Sequence, residues 1–214
     1  MSTASRNGAM SPSLAAGLTL AAPDRARRPA RSNLAGHLSG VSGAIGRMAE
    51  VRIVRWGVDD LALLRALNVP EVRAHTGGPE TDEQVRARHE RYLRGPGPRS
   101  GNMFTVVTPD GTTVGSVGFW PREWRGEQVY EMGWAVLPAH QGRGLATAAV
   151  RAVVAAARAA GDRRFAHAYP SVDNPPSNAV CRKAGFTLLG ETEFEYPPGR
   201  LMRSNDWRID LTAG

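Results

Sequence analysis

From Glu50 onward the apolar positions fall into two periods. "VRIVRW" (51–56) alternates apolar and polar residues as a short strand does, whereas "VDDLALLRALN" (58–68) repeats them at helical spacing, with Asp59 or Asp60 near its start. "PETDEQVRARHERYLRG" (79–95) predicts a second, polar-faced helix that stops at the "GPGP" cluster of 95–98. "NMFTVVT" (102–108) and "TTVGSVGFW" (112–120) flank Pro109-Asp110-Gly111, a hairpin signal. "EQVYEMGWAVL" (127–137) predicts a longer strand that ends at Pro138. An alanine-rich helix follows, stopped by Gly161; "RRFAHAYP" (163–170) then predicts a strand and "PPSNAVCRKAG" (175–185) a short helix. "FTLLGETEFEY" (186–196) and "RLMRSNDWRIDL" (200–211) close the chain as two strands around a "PPG" turn. The order β-α-α-β-β-β-α-β-α-β-β describes a mixed α/β domain over residues 48–214, with no internal repeat.

Residues 1–47 carry no sustained periodicity and no aromatic side chain, and they are rich in Ser, Ala, Gly, Pro and Arg. Two expectations follow: a disordered tail, or a start placed too early, since strand-like patterning begins just after Met48. The Arg-rich, acid-poor composition also resembles an organelle transit peptide, while "LAAGLTLAA" (14–22) lacks the flanks of a secretory signal. This tail changes the meaning of the net charge of +7. Six arginines against Asp24 place most of the excess before Glu50, so the folded part is nearly neutral and no nucleic-acid partner is expected. No apolar stretch reaches the ~20 residues of a membrane span, and a cytoplasmic protein without a membrane partner is expected. The single cysteine, Cys181, excludes an internal disulfide, and five scattered histidines give no metal-ligand spacing, so no metal is expected.

The start of the alanine-rich helix lacks what helix starts usually carry. "LPAHQGRGLA" (137–146) leads into it, yet no Asp or Glu occurs between Glu131 and Asp162. A helix N-terminus presents unpaired N–H groups and partial positive charge, so an acid is favoured there. Gly142 and Gly144 permit unusual backbone angles and close approach of an anion, so an external phosphate can take the place of the missing acid. A glycine-rich turn that merely caps the helix has the same appearance. Nucleotide P-loop and dinucleotide fingerprints do not match.

"QGRGLA" resembles the pyrophosphate loop of the GNAT N-acetyltransferase superfamily, through Gln141, Gly144 and Ala146. "NPPSNAVCRKAGF" resembles a second segment of that superfamily, with Asn174, Ser177, Val180, Lys183, Gly185 and Phe186 in step. "YEMGWAVLPAHQGRG" is similar to the strand-to-loop segment of its ribosomal-protein-acetylating subgroup. The resemblance implies the GNAT acyl-CoA acyltransferase fold, acetyl-CoA as co-substrate and a primary amine as acceptor, in a monomer or homodimer. It implies that residues Gln141, Gly142, Arg143, Gly144, Leu145 and Ala146 hold the pyrophosphate, that the pantetheine arm runs beside Ala135 and Val136, and that Asn174 and Ser177 contact it. Asn174 also suits a helix N-cap, and both roles are compatible.

Direct transfer needs a neutral amine and a proton for the departing thiolate. Glu131 is the candidate base: Glu131, Gly133 and Ala135 share one strand face, where the small residues leave room for a ligand. An exposed strand carboxylate, or a counter-charge for a cationic acceptor, are its alternatives. Many members of the superfamily carry a Tyr seven residues after the Asn, where this chain has Cys181; the thiol is a candidate acid, and a small buried helix residue is the alternative. Trp120, Trp124, Tyr196 and Trp207 are candidates to line an acceptor cleft, with Glu193 and Glu195 favouring a cation. A non-catalytic acyl-CoA sensor or accessory domain is the second functional expectation.

Overall fold

The computed structural model describes residues 49–95, 101–196 and 199–213; the tail expected over 1–47 and the prolines of the "PPG" turn lie outside them. Seven strands form one sheet: β1 (Arg52–Arg55), β2 (Asn102–Val107), β3 (Thr113–Trp124), β4 (Glu127–Val136), β5 (Phe165–Ala168), β6 (Thr187–Glu195) and β7 (Leu201–Asp210). Their order is β1-β2-β3-β4-β5-β7-β6, and β4 with β5 is the one parallel pair among them. The helices are α1 (Leu61–Leu67), α2 (Pro70–Arg73), α3 (Asp82–Leu93), α4 (Leu145–Ala160) and α5 (Pro175–Ala184). This is the mixed α/β architecture and the strand-helix order expected of a GNAT acyltransferase, with one addition. The single turn of α2, opened by Pro70, is too short to leave a periodic pattern.

Alternation along β4 decides which face meets which layer. Tyr130 and Met132, with the partly buried Trp134, pack with Leu145, Val150, Val153 and Ala157 of α4 and Cys181 of α5 in the main core. Their neighbour Ala135 points the other way, against a smaller core built from Trp56, Leu64, Leu67 and Val85. The helix α4 is apolar at 145, 149, 150, 153, 154 and 157, one stripe of an α-helix, and it ends at Gly161 with φ +71°.

The strand β3 runs four residues past its expected end and stays paired with β4 down to Trp124↔Glu127. Pro121 lies within that extension, yet β2 has already ended opposite Phe119, so one side of β3 has no neighbour there to lose a hydrogen bond from. The extension has a consequence for the site, because it carries Arg122 and Trp124 up beside Glu131.

Candidate active site

The parallel strands β4 and β5 touch over two register pairs, Tyr130↔Ala166 and Glu131↔His167. Beyond Glu131 they part, so Met132–Val136 have β3 on one side and no strand on the other. The open edge leads through a 3-10 turn at Pro138–His140 into the glycine loop. Gln141 fastens the loop to the strand: its backbone N–H donates to the Pro138 carbonyl (3.2 Å) and its Nε2 to the Val136 carbonyl (3.0 Å). Its backbone N–H and its side-chain amide are therefore each engaged within the chain. By contrast, the N–H groups of Gly142, Arg143, Gly144, Leu145 and Ala146 have no acceptor among the described residues. Gly142 (φ +75°) and Gly144 (φ +78°) supply the left-handed turns that aim these groups, and the Cα of Gly142 faces open space. With no acid in the first turn of α4, the donors and the helix dipole fit a pyrophosphate.

Across the sheet from α4, Glu131 lies at the apex of the fork between β4 and β5. Its Oε2 accepts from Nη1 of Arg122 at 2.5 Å, and both side chains remain about a fifth exposed. Gly133 is not spare room for a ligand, as the sequence suggested. A Cβ there would lie 2.8 Å from the indole of Trp120, so the glycine admits that ring against the strand.

The Oδ1 of Asn174 accepts the N–H of Ser177 at 3.2 Å and caps α5, which leaves its Nδ2 and the Ser177 hydroxyl without partners among the described residues. Cys181, one turn further on, is fully buried in the main core. Burial pushes its thiol up to about 12. A thiol buried in this way is a poor proton donor near neutrality. Cys181 in the native protein is accordingly expected to resist an aromatic disulfide reagent at pH 8 and to react at once in denaturant. Cys181→Ala should keep turnover within about two-fold of the parent while losing roughly 1–2 kcal/mol in urea melts. Fast labelling of the native thiol would contradict this placement.

The aromatic candidates divide by face. Trp207 belongs to the main core, its Nε1 donating to Oδ1 of Asn178 at 2.8 Å. Tyr196 lines a separate groove with His75, Ser171 and Arg203. Trp124 stands beside the fork, with Nε1 on Oδ2 of Asp206 at 2.9 Å. Glu193 and Glu195 are exposed on β6, the former 3.9 Å from Arg203.

Several residues around Glu131 carried no motif in the sequence. His167, its register partner, has Nδ1 2.6 Å from Oδ1 of Asp206, and both side chains are almost wholly buried. The Tyr169 ring stacks on His167 with centroids 5.8 Å apart, and burial holds its phenol above the ordinary value. His167 Nε2, the Tyr169 hydroxyl and the Ser204 hydroxyl are buried without partners. The alternation His167-x-Tyr169 and Trp120-x-Arg122-x-Trp124 was the one available signal, and it could not say which strands adjoin. Burial pushes the Asp206 carboxyl upward, but hydrogen bonds from His167 and Trp124 outweigh it and hold the group below the usual carboxylate range. A lowered folded-state value stabilises the fold above the unfolded value of ~3.9, and the benefit is lost as pH falls through the folded value. Asp206→Asn should therefore lose roughly 1–3 kcal/mol at pH 6, with the gap to the parent closing below about pH 4 in urea melts. A gap that is constant across pH would refute the assignment.

Among the described residues no helix is long and apolar enough to cross a membrane, and no group of His, Cys, Asp or Glu could hold a metal ion. A search of curated proteins finds no match. Among solved structures, the chain resembles a spermidine N-acetyltransferase from Vibrio cholerae in complex with CoA and spermine, at 15% identity and TM-score 0.62, over 75% of this chain and 95% of that one. It resembles an aminoglycoside acetyltransferase in complex with coenzyme A at 20% identity and TM-score 0.62, over 75% and 95%. It resembles equally an acetyltransferase from Salmonella typhimurium that modifies the N-terminal serine of a ribosomal subunit protein, at 20% identity and TM-score 0.61, over 75% and 94%. These likenesses share a fold and do not single out the ribosomal-protein-acetylating subgroup. The family model for the acetyltransferase (GNAT) domain matches residues 50–187. With that match spanning the fork, the glycine loop and the Asn174 cap, the chain belongs to the GNAT acetyltransferase family.

Proposed function

We propose that this protein is an N-acetyltransferase that moves an acetyl group from acetyl-CoA to a primary amine by direct attack within a ternary complex. The observation that carries the reading is the fork. An open strand edge, Met132–Val136, runs straight into a loop of unpaired N–H groups, with a carboxylate at the apex. Gly142, Arg143, Gly144, Leu145 and Ala146 hold the pyrophosphate through backbone N–H groups, and Gln141 acts by bracing the loop. The pantetheine arm runs beside Ala135 and Val136 along the edge that β5 leaves open, pairing with backbone groups there as a strand does, while the Val136 carbonyl stays with Gln141. Asn174 Nδ2 and Ser177 face the same arm. Acetyl-CoA supplies an activated thioester. Glu131 orients the acceptor amine and receives its proton, directly or through water, so that the nitrogen lone pair is free to attack. A backbone N–H near Val136 steadies the oxyanion that forms on attack; as it collapses and the carbon–sulfur bond breaks, the thiolate takes up the proton that the new amide nitrogen loses, directly or through water. Cys181 serves packing.

The acceptor is a small-molecule amine or a protein N-terminus, the classes represented by spermidine, aminoglycosides and an N-terminal serine among the similar structures. A second reading, an acyl-CoA sensor without turnover, gains support from the ion pair that engages Glu131. Calorimetry with acetyl-CoA, followed by thiol release over a panel of polyamines, aminoglycosides and N-terminal peptides, separates the two. Binding with acceptor-dependent release supports transfer, and binding without release on any acceptor supports the sensor.

A further inference from the structure

The Arg122 guanidinium is enclosed in a way that a simple ion pair does not require. Its central carbon lies 4.6 Å from the ring centre of Tyr169, 4.9 Å from Trp124 and 5.1 Å from Phe194. These rings come from β3, from the residue just past β5, and from β6, so three separate segments converge on one cation. Each cation–π contact adds attraction beyond the ion pair, whereas a solvated ion pair alone leaves both side chains free to move. The rings are fixed in turn. Trp124 is held by Asp206, Asp206 by His167, and His167 stacks on Tyr169. A rigid, partly buried frame thus ends in one guanidinium, and that guanidinium grips one oxygen of Glu131. The other oxygen, Oε1, has no donor among the described residues.

We propose that Arg122 is a positioning residue: the box of Trp124, Tyr169 and Phe194 seats its guanidinium so that Oε2 of Glu131 is held and Oε1 is presented to the acceptor amine. The turnover part of this inference rests on the transferase reading above. A residue there for packing alone would be served by a long apolar side chain, whereas the observed arrangement places a cation among π-faces and against a carboxylate at the fork. Removing the guanidinium should release Glu131 into several rotamers and leave a box shaped for a small guanidinium from solution.

Arg122→Ala in the full chain is expected to lose roughly 10- to 100-fold in kcat, the scale of a misplacement near 1 Å, with acetyl-CoA affinity unchanged. Millimolar methylguanidinium should restore a saturable part of that rate in Arg122→Ala and none in Glu131→Gln. Without acetyl-CoA or acceptor, methylguanidinium should change the tryptophan fluorescence of Arg122→Ala saturably and leave that of the parent protein unaltered. Arg122→Gln fills similar space without charge and should show the same loss, which covers the case where the alanine variant does not fold. Full activity in either variant, no saturable binding to Arg122→Ala, or binding without any recovery of rate each overturns the proposal. If the parent transfers to no amine at all, the transferase reading fails separately. The contact is then read from the carbon-13 carboxyl signal of Glu131. A signal that moves in Arg122→Ala and returns with methylguanidinium supports the proposal; one that is unmoved overturns it.

Discussion

Gly144→Glu is expected to abolish measurable acetyl-CoA binding while leaving a folded protein. Gly144 has φ +78°, which costs an L-residue ~1–2 kcal/mol, and a Cβ there would meet Ala49 at an ordinary 3.6 Å, so the fold survives the substitution. The introduced carboxylate, however, lies at the N-terminus of α4, among the N–H donors of Gly142–Ala146. It would satisfy those donors from within and repel a pyrophosphate, two effects with the same sign. An affinity loss of 100-fold or more in calorimetry is the expected result, given that charge-assisted hydrogen bonds are worth ~1.5–3 kcal/mol each. Gly144→Ala keeps the backbone strain without the charge and should lose far less. Equal losses in the two variants would mean that strain, rather than the anion-binding donors, decides affinity.

Glu131→Gln carries the second large effect. The amide is nearly isosteric, keeps a carbonyl oxygen for Arg122, and cannot accept a proton. If Glu131 takes the proton of the acceptor, kcat should fall ~10²–10⁴-fold with altered pH dependence, and acetyl-CoA affinity should hold, because the loop lies beyond the end of β4. If the carboxylate acts as a counter-charge, KM for a cationic amine should rise more than kcat falls. A variant with unchanged kcat and KM across pH would remove Glu131 from the reaction altogether. Performed beside Arg122→Ala, this measurement separates the loss of the carboxylate from the loss of its orientation.

The two substitutions probe features that differ in how far the sequence revealed them. Gly142 and Gly144 stand in a loop whose chemistry is local. Two glycines, a missing acid and an alanine-rich helix lie within a dozen residues, and the resulting left-handed turns and unpaired donors follow from the backbone. Glu131 is legible from its distance to the loop and from strand alternation, but its surroundings are not. Alternation alone leaves space for a ligand at Gly133, whereas Trp120 from β3 occupies it. The sequence makes Trp207 a candidate to line a cleft, whereas it lies in the core with a hydrogen bond to Asn178. In both cases the deciding neighbour is a residue 13 or more positions away, fixed by strand register for Trp120 and by the packing of α5 on the sheet for Asn178.

By itself, then, the sequence determined the seven strands and the principal helices, the glycine loop, the Asn174 cap and the membership of Glu131 in the strand that feeds the loop. Hydrophobic period, turn residues and caps act over a few residues, so they can be read without knowing the fold. The tertiary structure alone decided that β4 and β5 part just past Glu131, that Cys181 lies in the core, and that Arg122, Trp124, Tyr169, Phe194, His167 and Asp206 gather on one sheet face. Those residues span four strands and more than eighty positions, and what brings them together is the order of strands in the sheet and the packing of side chains across it, which no local pattern encodes.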